Sequence, residues 1–356
     1  MSEPVIGIDL GTTFFAVATI DEHGRAVVLR NSEGRNITPS VITFAPDSIK
    51  FGAEAKSIQA DGDTNVASFF KRRMGDADYV LEFFGKEYNS QDLSALLLKK
   101  LKEDAELVLG QKVAKAVITV PAYFDACQWT ATVQAGKIAG LNVIAIISEP
   151  VAAAINYGLN ADTKGQNIIV YDLGGGTFDV TVVRIGEDLD KTKIVVTDGD
   201  HQLGGYNWNE KIINYCQEQC NELTGCKVED PEELGKLQVD AEEKKMQLSQ
   251  ENRVFFVIQA DSGKVKFELT REQFDEMTSD LLEQTFVLTD KLLADAEKHG
   301  ITKFDAFLLV GGATLMPQVA AKVKEKYAAK LGIAEPVYLD YAVARGAAVY
   351  GFHHIH

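Results

Sequence analysis

One stretch of the sequence decides the fold: Ile168-Ile169-Val170-Tyr171-Asp172-Leu173-Gly174-Gly175-Gly176-Thr177-Phe178-Asp179-Val180. An apolar run ends at Asp172, three glycines follow, and an apolar run resumes after Asp179. Short apolar runs bounded by a glycine cluster indicate two strands joined by a tight turn. Such a turn lets a ligand approach the backbone, and its free N–H groups attract anions. Two carboxylates beside a bound phosphate would repel it unless a cation lay between them. The stretch therefore predicts a hydrated Mg²⁺ ion, which prefers oxygen ligands.

The same design occurs near the N-terminus, in Val5-Ile6-Gly7-Ile8-Asp9-Leu10-Gly11-Thr12-Thr13 and the apolar run from Phe14 to Ile20. The two aspartates, Asp9 and Asp172, are 163 residues apart, and each opens a similar half of the chain. This repetition predicts two lobes of one topology, with phosphates held between two hairpins. The alternative is that Asp-Leu-Gly is an ordinary turn after a strand.

A third glycine-rich turn follows a predicted strand over 304–310. It reads Gly311-Gly312-Ala313-Thr314, and Pro317 then opens a predicted helix. A strand, a glycine turn and a helix N-terminus together form an anion-binding arrangement. Three turns of this kind favour a phosphate site over three unrelated turns.

The composition is that of a globular chain. Of 356 residues, 46% are apolar, which is ample for a core and suits two domains or one two-lobed unit. The net charge of −16, with no basic cluster beyond Lys71-Arg72-Arg73, argues against nucleic acid, whose binding needs a basic face. No apolar run approaches the length of a membrane span, and no basic and apolar leader precedes Val5. The four cysteines lack Cys-x2-Cys spacing, which favours reduced thiols in a cytoplasmic protein.

Helix signals are strongest between Ser90 and Leu109, where leucines recur at helical spacing, Ser90 is the expected N-cap and Gly110 the stop. The other predicted helices cover 122–139, the segment opened by Glu149-Pro150, 207–223, 231–248, 271–280, 317–327 and 342–348, with a frayed tail over 352–356.

Two charged residues have simple alternative interpretations. Considered without the other motifs, Lys71 would be interpreted as a solvated surface charge, which is the usual state of a lysine. Glu149 alone would be read as a carboxylate that is favoured near a helix N-terminus.

These motifs resemble the ATPase domain of the DnaK family, the heat-shock-protein-70 chaperones. The resemblance covers nearly the whole chain and includes Val120-Pro121-Ala122-Tyr123-Phe124, Glu149-Pro150-Val151-Ala152-Ala153-Ala154 and Ala344-Arg345-Gly346-Ala347-Ala348. It implies an α/β, actin-like ATPase fold, with two lobes of duplicated sheet and helix topology around a central nucleotide cleft. Several variant positions are similar to the HscC-like branch.

The resemblance also implies a division of the chain. Lobe I would cover 1–162, with subdomain IA at 1–36 and 90–162 and subdomain IB at 37–89. Lobe II would cover 163–351, with subdomain IIA at 163–204 and 286–351 and subdomain IIB at 205–285, followed by the tail.

Site residues are implied at the matching positions. The implied catalytic residues are Asp9, Lys71, Glu149, Asp172 and Thr177. The implied metal residues are Asp9, Asp172, Glu149 and Asp179, with hydrated Mg²⁺ near the first two and a monovalent cation such as K⁺ near Asp179. The positions implied to bind ATP or ADP are Gly11, Thr12, Thr13, Phe14, Gly174, Gly175, Gly176, Thr177, Gly204, Gly205, Glu242, Lys245, Met246, Ser249, Gly311, Gly312, Ala313, Leu315 and Asp340.

Some positions depart from the family pattern. Two arginines that sandwich adenine in the family correspond to Met246 and Leu315 here. An arginine and a lysine used for coupling correspond to Trp129 and Val133, and an arginine that engages J-domain co-chaperones corresponds to Ala145. The catalytic set is therefore complete, while the adenine clamp and the coupling set are not.

The leading hypothesis is a chaperone nucleotide-binding domain that binds ATP and slowly hydrolyses it to ADP and phosphate with Mg²⁺. One alternative is a nucleotide-bound co-chaperone or scaffold with little hydrolysis, and another is a filament-forming actin relative. A monomer is expected, with neither nucleic acid nor membrane as a partner. Unfolded polypeptide would bind through a downstream domain absent from this sequence. A nucleotide exchange factor and a J-domain protein are further candidate partners, although the altered coupling positions count against the J-domain protein.

Overall fold

The computed structural model describes residues 4–159, 163–260 and 263–355. Its strands are, in chain order, β1 (Val5–Leu10), β2 (Phe14–Ile20), β3 (Ala26–Leu29), β4 (Thr38–Pro39), β5 (Val41–Ala45), β6 (Ser48–Phe51), β7 (Val66–Ser68), β8 (Val80–Phe83), β9 (Lys86–Asn89), β10 (Lys115–Val120), β11 (Asn142–Ser148), β12 (Asn167–Leu173), β13 (Phe178–Arg184), β14 (Lys193–Asp200), β15 (Arg253–Ala260), β16 (Gly263–Thr270), β17 (Ala306–Val310) and β18 (Val337–Tyr338).

The helices are α1 (Gly52–Ala60), α2 (Ser90–Leu109), α3 (Ala126–Ile138), α4 (Glu149–Gly158), α5 (Gly205–Thr224), α6 (Pro231–Leu248), α7 (Arg271–Met277), α8 (Ser279–Lys298), α9 (Pro317–Val323), α10 (Ala329–Leu331) and α11 (Ala342–Ile355). Short 3₁₀ turns lie at Phe70–Arg73, Leu189–Lys191 and Gly312–Leu315, and a π-helical turn lies at Lys324–Ala328.

Two sheets of the same topology form the centre of the molecule. The first has the strand order β11-β10-β1-β2-β3, with β4 added beside β2, and the second has the order β14-β13-β12-β17-β18. Each sheet contains an antiparallel hairpin, β1–β2 in the first sheet and β12–β13 in the second. The first strand of each hairpin also pairs in parallel with a strand from later in the chain, β10 in the first sheet and β17 in the second. The repeated Asp-Leu-Gly design therefore does open two copies of one topology, and the expected actin-like α/β fold is confirmed.

The central strands are apolar because both faces of each sheet are covered. Every residue of β13 except the last is buried, as is all of β17. Strands buried on both faces are continuous apolar runs rather than alternating ones. A buried cluster between the two sheets includes small residues of α4 and α11, such as Ala152, Ala153 and Ala347.

Helix α11 lies on the first sheet, where it contacts α4, β1, β2 and β10. Its small residues permit this close packing. A Cβ on Gly346 would lie 1.8 Å from the carbonyl oxygen of Ala152, and a Cβ on Gly7 would lie 2.2 Å from the backbone nitrogen of Ala348. The expected division assigned residues 342–351 to the second lobe, but this helix packs against the first sheet.

Several helix ends differ from the sequence-based expectation. Asn89, not Ser90, is the N-cap of α2, because its side chain accepts the amide hydrogen of Asp92. Helix α3 begins at Ala126 rather than at 122, because Asp125 and Gln128 form a capping box there. Pro121 ends the preceding strand, and residues 122–125 form the turn between them.

The later helices also differ. The helix predicted over 271–280 ends at Met277, and a second helix, α8, begins at Ser279. The helix predicted over 317–327 becomes π-helical at Lys324. Helix α11 continues to Ile355, so residues 352–355 are helical rather than frayed. Residue 162, the expected end of lobe I, and residue 356, the end of the expected tail, lie outside the described residues.

Among the described residues, no helix is both long enough and apolar enough to cross a membrane.

Candidate active site

The three glycine-rich turns converge on a cavity of about 480 Å³ between the two central sheets. Of the positions implied at the sequence level, all but Gly204 and Asp179 line this cavity. The lining residues from that set are Asp9, Gly11, Thr12, Thr13, Phe14, Lys71, Glu149, Asp172, Gly174, Gly175, Gly176, Thr177, Gly205, Glu242, Lys245, Met246, Ser249, Gly311, Gly312, Ala313, Leu315 and Asp340.

The two hairpin turns face each other at one end of the cavity. A Cβ on Gly175 would lie 2.1 Å from the hydroxyl oxygen of Thr13, so a side chain there would fill the gap between the turns. Within the second turn, the amide of Gly174 donates to the carbonyl of Thr177 at 3.0 Å. The amide of Gly205 donates to the carbonyl of Gly174 at 2.9 Å, which fixes the turn against the start of α5. These turns form an open cradle of backbone, as phosphate binding requires.

Gly204 and Asp179 lie behind the cavity wall. A Cβ on Gly204 would lie 2.5 Å from the carbonyl carbon of Gly176, so the backbone of Gly204 packs directly against the glycine turn. Asp179 is opposite Asp172 in the β12–β13 ladder and is buried. It forms a side-chain hydrogen bond with Thr177.

Lys71 and Glu149 form an ion pair inside the cavity. The Lys71 Nζ atom lies 2.7 Å from Glu149 Oε1, and the two side chains are only 4% and 12% exposed. Lys71 belongs to the 3₁₀ turn Phe70–Arg73, and Glu149 is the first residue of α4. The interpretation of Lys71 as a solvated surface charge is therefore wrong. The Glu149 side chain also does more than cap a helix, since its carboxylate accepts a hydrogen bond from Lys71.

Three aspartates around this pair have raised pKa values. Removal from water, and then the nearby Glu149 charge, raise the pKa of Asp9 to about 7. The same two causes raise the pKa of Asp179 to about 8. The pKa of Asp172 is raised well above its ordinary range by burial, Glu149, Asp179 and Asp9, in that order. Lys71 opposes all three shifts but does not cancel them.

This donor set fits a hydrated cation. Buried carboxylates that repel one another lose that repulsion when a cation lies among them. Within the described ranges, no three His, Cys, Asp or Glu side chains lie close enough together to ligate a bare ion. Mg²⁺ commonly keeps several of its waters and uses one or two carboxylates. A divalent ion held through its water shell therefore suits these residues better than one held by direct ligands alone.

The far end of the cavity is bordered by α6 and the third glycine turn. Lys245 is buried, its Nζ donates to the carbonyl of Gly205 at 2.7 Å, and burial lowers its pKa to about 8. Glu242 forms an ion pair with Lys56 of α1. Met246 and Leu315 are 56% and 55% exposed, so both side chains retain open space around them.

Other cavity residues were not expected from the sequence. They are Phe15, Ala16, Ile37, Gln250, Val310, Met316, Tyr338, Leu339, Tyr341, Ala342 and Val343. Tyr338 ends β18, which pairs in parallel with β17, the strand that leads into the third glycine turn. Neighbouring parallel strands end at the same edge of a sheet, so recognition of β18 as a strand would have placed Tyr338 at the cavity.

The altered coupling positions lie elsewhere. Trp129 is on α3, where its indole N–H donates to the carbonyl of Phe124 at 3.1 Å. Val133 is on the same helix and Ala145 is on β11. None of the three lines the cavity.

Comparison with known proteins gives one consistent result. Residues 5–354 match the family model described as Hsp70 protein. The chain is 40% identical over 362 residues to the chaperone protein DnaK of Halobacterium salinarum, across 98% of this chain and 56% of the relative. It is also 40% identical over 356 residues to the chaperone protein DnaK of Thermotoga neapolitana, across 98% of this chain and 59% of the relative. The chain thus spans a little over half the length of these relatives.

Proposed function

Because the chain belongs to the Hsp70 protein family, we propose that it binds ATP in the central cavity and slowly hydrolyses it to ADP and phosphate. In this proposal the chain is the nucleotide-binding part of a molecular chaperone. The observation that carries the proposal is the buried Lys71–Glu149 pair, which lies in the same cavity as the glycine turns and the carboxylates.

Each part of the cavity has a role in the proposed reaction. The backbone N–H groups of the two facing turns bind the phosphates, with the hydroxyls of Thr12, Thr13 and Thr177. Asp9 and Asp172 hold hydrated Mg²⁺, which neutralises charge on the phosphates when bound. Lys71 stabilises negative charge on the transferred phosphoryl group.

The remaining site residues act around this centre. Glu149 accepts a hydrogen bond from Lys71 and orients both that lysine and the attacking water. Phosphoryl transfer depends mainly on positioning and charge stabilisation, which agrees with the buried, paired arrangement of Lys71 and Glu149. Asp179 interacts with a monovalent cation such as K⁺ in this proposal, and the cation would favour the charged form of this buried carboxyl.

The nucleoside end of the cavity takes adenosine. Glu242, Lys245 and Ser249 of the α6 region, the third glycine turn and Asp340 contact it in this proposal. Met246 and Leu315 cover the base with a thioether and a branched alkyl group, since both can lie against an aromatic ring.

The wider activity of the chain is proposed from its relatives. As part of a chaperone, the chain acts with unfolded polypeptide as the client and with a nucleotide exchange factor as a partner. Stimulation by a J-domain protein is expected to be weak, because Trp129, Val133 and Ala145 replace the basic coupling residues. A monomer in the cytoplasm and membership of the HscC-like branch remain predictions.

A single-turnover assay tests the proposal. The protein is mixed with a substoichiometric amount of ATP and Mg²⁺, and phosphate release is compared with that of a protein-free sample. Release above the protein-free rate supports the ATPase. Tight ATP binding without phosphate release would favour the scaffold alternative. That alternative gives the buried Lys71–Glu149 pair no role.

A further inference from the structure

Two aromatic rings join the two halves of the chain just outside the cavity. Phe69 immediately precedes the 3₁₀ turn Phe70–Arg73, and Tyr206 lies in the first turn of α5. Their ring centroids are 5.2 Å apart, and the ring planes are inclined by 71°. Both residues are half-buried, and neither lines the cavity.

Each ring is attached to an element of the phosphate end. The carbonyl of Phe69 accepts the amide hydrogen of Arg72 at 3.1 Å, so Phe69 closes the turn that carries Lys71. The amide of Tyr206 donates to the carbonyl of Gly175 at 2.7 Å, so Tyr206 is fixed to the glycine turn. The ring contact therefore connects the Lys71 turn to the glycine turn across the cleft.

Arg72 adds a second link between the same elements. Its guanidinium carbon lies 5.6 Å from the centre of the Phe69 ring, which is the distance of a cation–π interaction. Its terminal nitrogen donates to the carbonyl of Gly176. Both links start at the Lys71 turn and end at the glycine turn.

The backbone of Phe69 is unusual. Its φ is +56°, in the left-handed region that L-residues with a Cβ rarely adopt. A residue is held in such a conformation only where its surroundings stabilise it. The Phe69 ring contacts Tyr206 and Arg72 from this conformation.

We propose that Phe69 and Tyr206 are positioning residues that hold the turn carrying Lys71 against the glycine turn. This inference rests on the proposed ATPase function. Because neither ring reaches the cavity, the pair acts on the rate of hydrolysis rather than on nucleotide affinity. An aromatic pair of this kind corresponds to about a 2- to 13-fold effect on a rate.

The central variant is Phe69→Asn. Asparagine tolerates the left-handed backbone, so this change removes the ring without adding strain. We expect single-turnover hydrolysis to slow by about 2- to 13-fold. The dissociation constant for ATP and the melting temperature should stay close to those of the parent. A merely structural role would instead lower the melting temperature together with the rate.

The structure provides a matched control in Phe84. It also has a left-handed φ, +50°, but the residue is 53% exposed and does not line the cavity. Phe84→Asn therefore makes the same substitution at the same kind of backbone and should leave hydrolysis unchanged.

A double-mutant cycle isolates the ring contact. Tyr206→Leu should slow hydrolysis, Tyr206→Phe should keep the parent rate, and Phe69→Asn with Tyr206→Leu should be no slower than the slower single variant. Full additivity of the two losses, or a parent-like rate in Phe69→Asn, would overturn the proposal. A loss of ATP affinity in place of rate would also overturn it.

Hydrogen exchange separates this inference from the proposed function. In the ligand-free protein, the amides of residues 70–74 should exchange faster in Phe69→Asn and Tyr206→Leu than in the parent and in Phe84→Asn. If the parent hydrolyses no ATP, the function is wrong, and this measurement still decides whether the rings hold the Lys71 turn. Equal exchange in all four proteins would show that they do not.

Discussion

Lys71 is the residue on which the proposed hydrolysis most depends. It is buried and paired with Glu149, and a buried charge can stabilise a charged transition state far better than a solvated one. We expect Lys71→Ala to abolish most hydrolysis while ADP binding stays nearly intact, because the lost interaction belongs to the transition state. Phosphate release and ADP calorimetry measure the two effects. Lys112→Ala is the control, since the Lys112 side chain is 91% exposed. If Lys71→Ala hydrolyses ATP at the parent rate, Lys71 takes no part in hydrolysis.

Asp9 is predicted to destabilise the ligand-free protein at neutral and basic pH. Its pKa is about 7 in the folded protein, above its ordinary value of 3.8. The folded state thus holds the proton more tightly than the unfolded state does. The contribution of Asp9 to the free energy of unfolding is therefore fully present below pH 3.8 and is lost as the pH rises through about 7.

Asp9→Asn should therefore raise the free energy of unfolding of the ligand-free protein at pH 8, by at most about 4 kcal/mol, since one pKa unit corresponds to about 1.4 kcal/mol. With Mg²⁺ and ADP present, the same change should weaken binding, because it removes a charge that faces the ion. Urea unfolding with and without the ligand measures both. A variant that is less stable than the parent in both conditions would contradict this assignment.

The base end of the cavity offers a gain-of-affinity experiment. Met246 and Leu315 line the cavity and are more than half exposed, so longer side chains have room there. A guanidinium over an aromatic face contributes about 0.5–2 kcal/mol. Met246→Arg with Leu315→Arg should thus tighten ADP binding by about 5- to 70-fold, the lower half of the range of about 1–4 kcal/mol for two such contacts. Calorimetry on this variant and on Leu223→Arg, an exposed position outside the cavity, makes the comparison. Unchanged affinity would mean that adenine does not lie between these positions.

Single residues were predictable from sequence where a motif surrounds them. Asp9, Asp172 and the glycine turns have strong local patterns, and the structure brings them together. Burial of Lys71 was not readable from its neighbours, because it depends on a partner 78 residues away. Tyr338 was missed because β18 has only two residues and no periodic pattern.

At the scale of elements, the third glycine turn shows why glycine is needed. Gly311 has a φ of +88°, and an added Cβ would lie 2.4 Å from the carbonyl oxygen of Leu173 and 2.6 Å from a carboxylate oxygen of Asp172. Gly332 has a φ of +69°, and among the described residues no neighbouring atom lies within 4 Å of such a Cβ.

Gly332→Ala should therefore cost only backbone strain, about 1–2 kcal/mol. Gly311→Ala should cost more and should also weaken Mg²⁺-dependent ADP binding, because the Asp172 carboxylate must move. Urea unfolding and calorimetry on the two variants test this. Equal losses of stability and of ADP affinity in the two variants would show that the glycine turn accommodates the added methyl group.

Helix existence was predictable more reliably than helix ends. The periodic segments over 90–109 and 231–248 are helices with those bounds. The start of α3 was placed four residues too early, because the capping box of Asp125 and Gln128 competes with an apparently helical composition upstream. Such ends are set by a few side-chain hydrogen bonds, which propensity does not capture.

At the scale of the whole molecule, repetition revealed the fold but not its final packing. The two Asp-Leu-Gly stretches correctly indicated two sheets of the same topology. The place of α11 on the first sheet could not be read from its position late in the chain. It depends on close approaches such as that of Gly346 to Ala152, which only the folded structure shows.

The two halves are also joined at the nucleoside end of the cavity. Lys56 of α1 pairs with Glu242 of α6, and both side chains are largely buried, at 22% and 18% exposure. The Lys56 Nζ atom lies 5.4 Å from the centre of the Phe14 ring, and both Glu242 and Phe14 line the cavity. Because this link joins α1 to α6 beside the cavity, we expect the pair to slow nucleotide release.

Lys56→Met should therefore speed ADP release. Methionine keeps an apolar stem beside Phe14 and removes the charge, which leaves Glu242 without its partner. An ion pair of this kind contributes up to about 1 kcal/mol, so release should become up to about 5-fold faster. Added salt should speed release from the parent more than from the variant, because it screens the ion pair. Stopped-flow release of a fluorescent ADP analogue measures both effects.

Lys236→Met is the control, since Lys236 pairs with Glu232 and Glu233 on the same helix α6 without crossing the cavity. If Lys56→Met and Lys236→Met release ADP at the same rate, the cleft is held closed by other contacts.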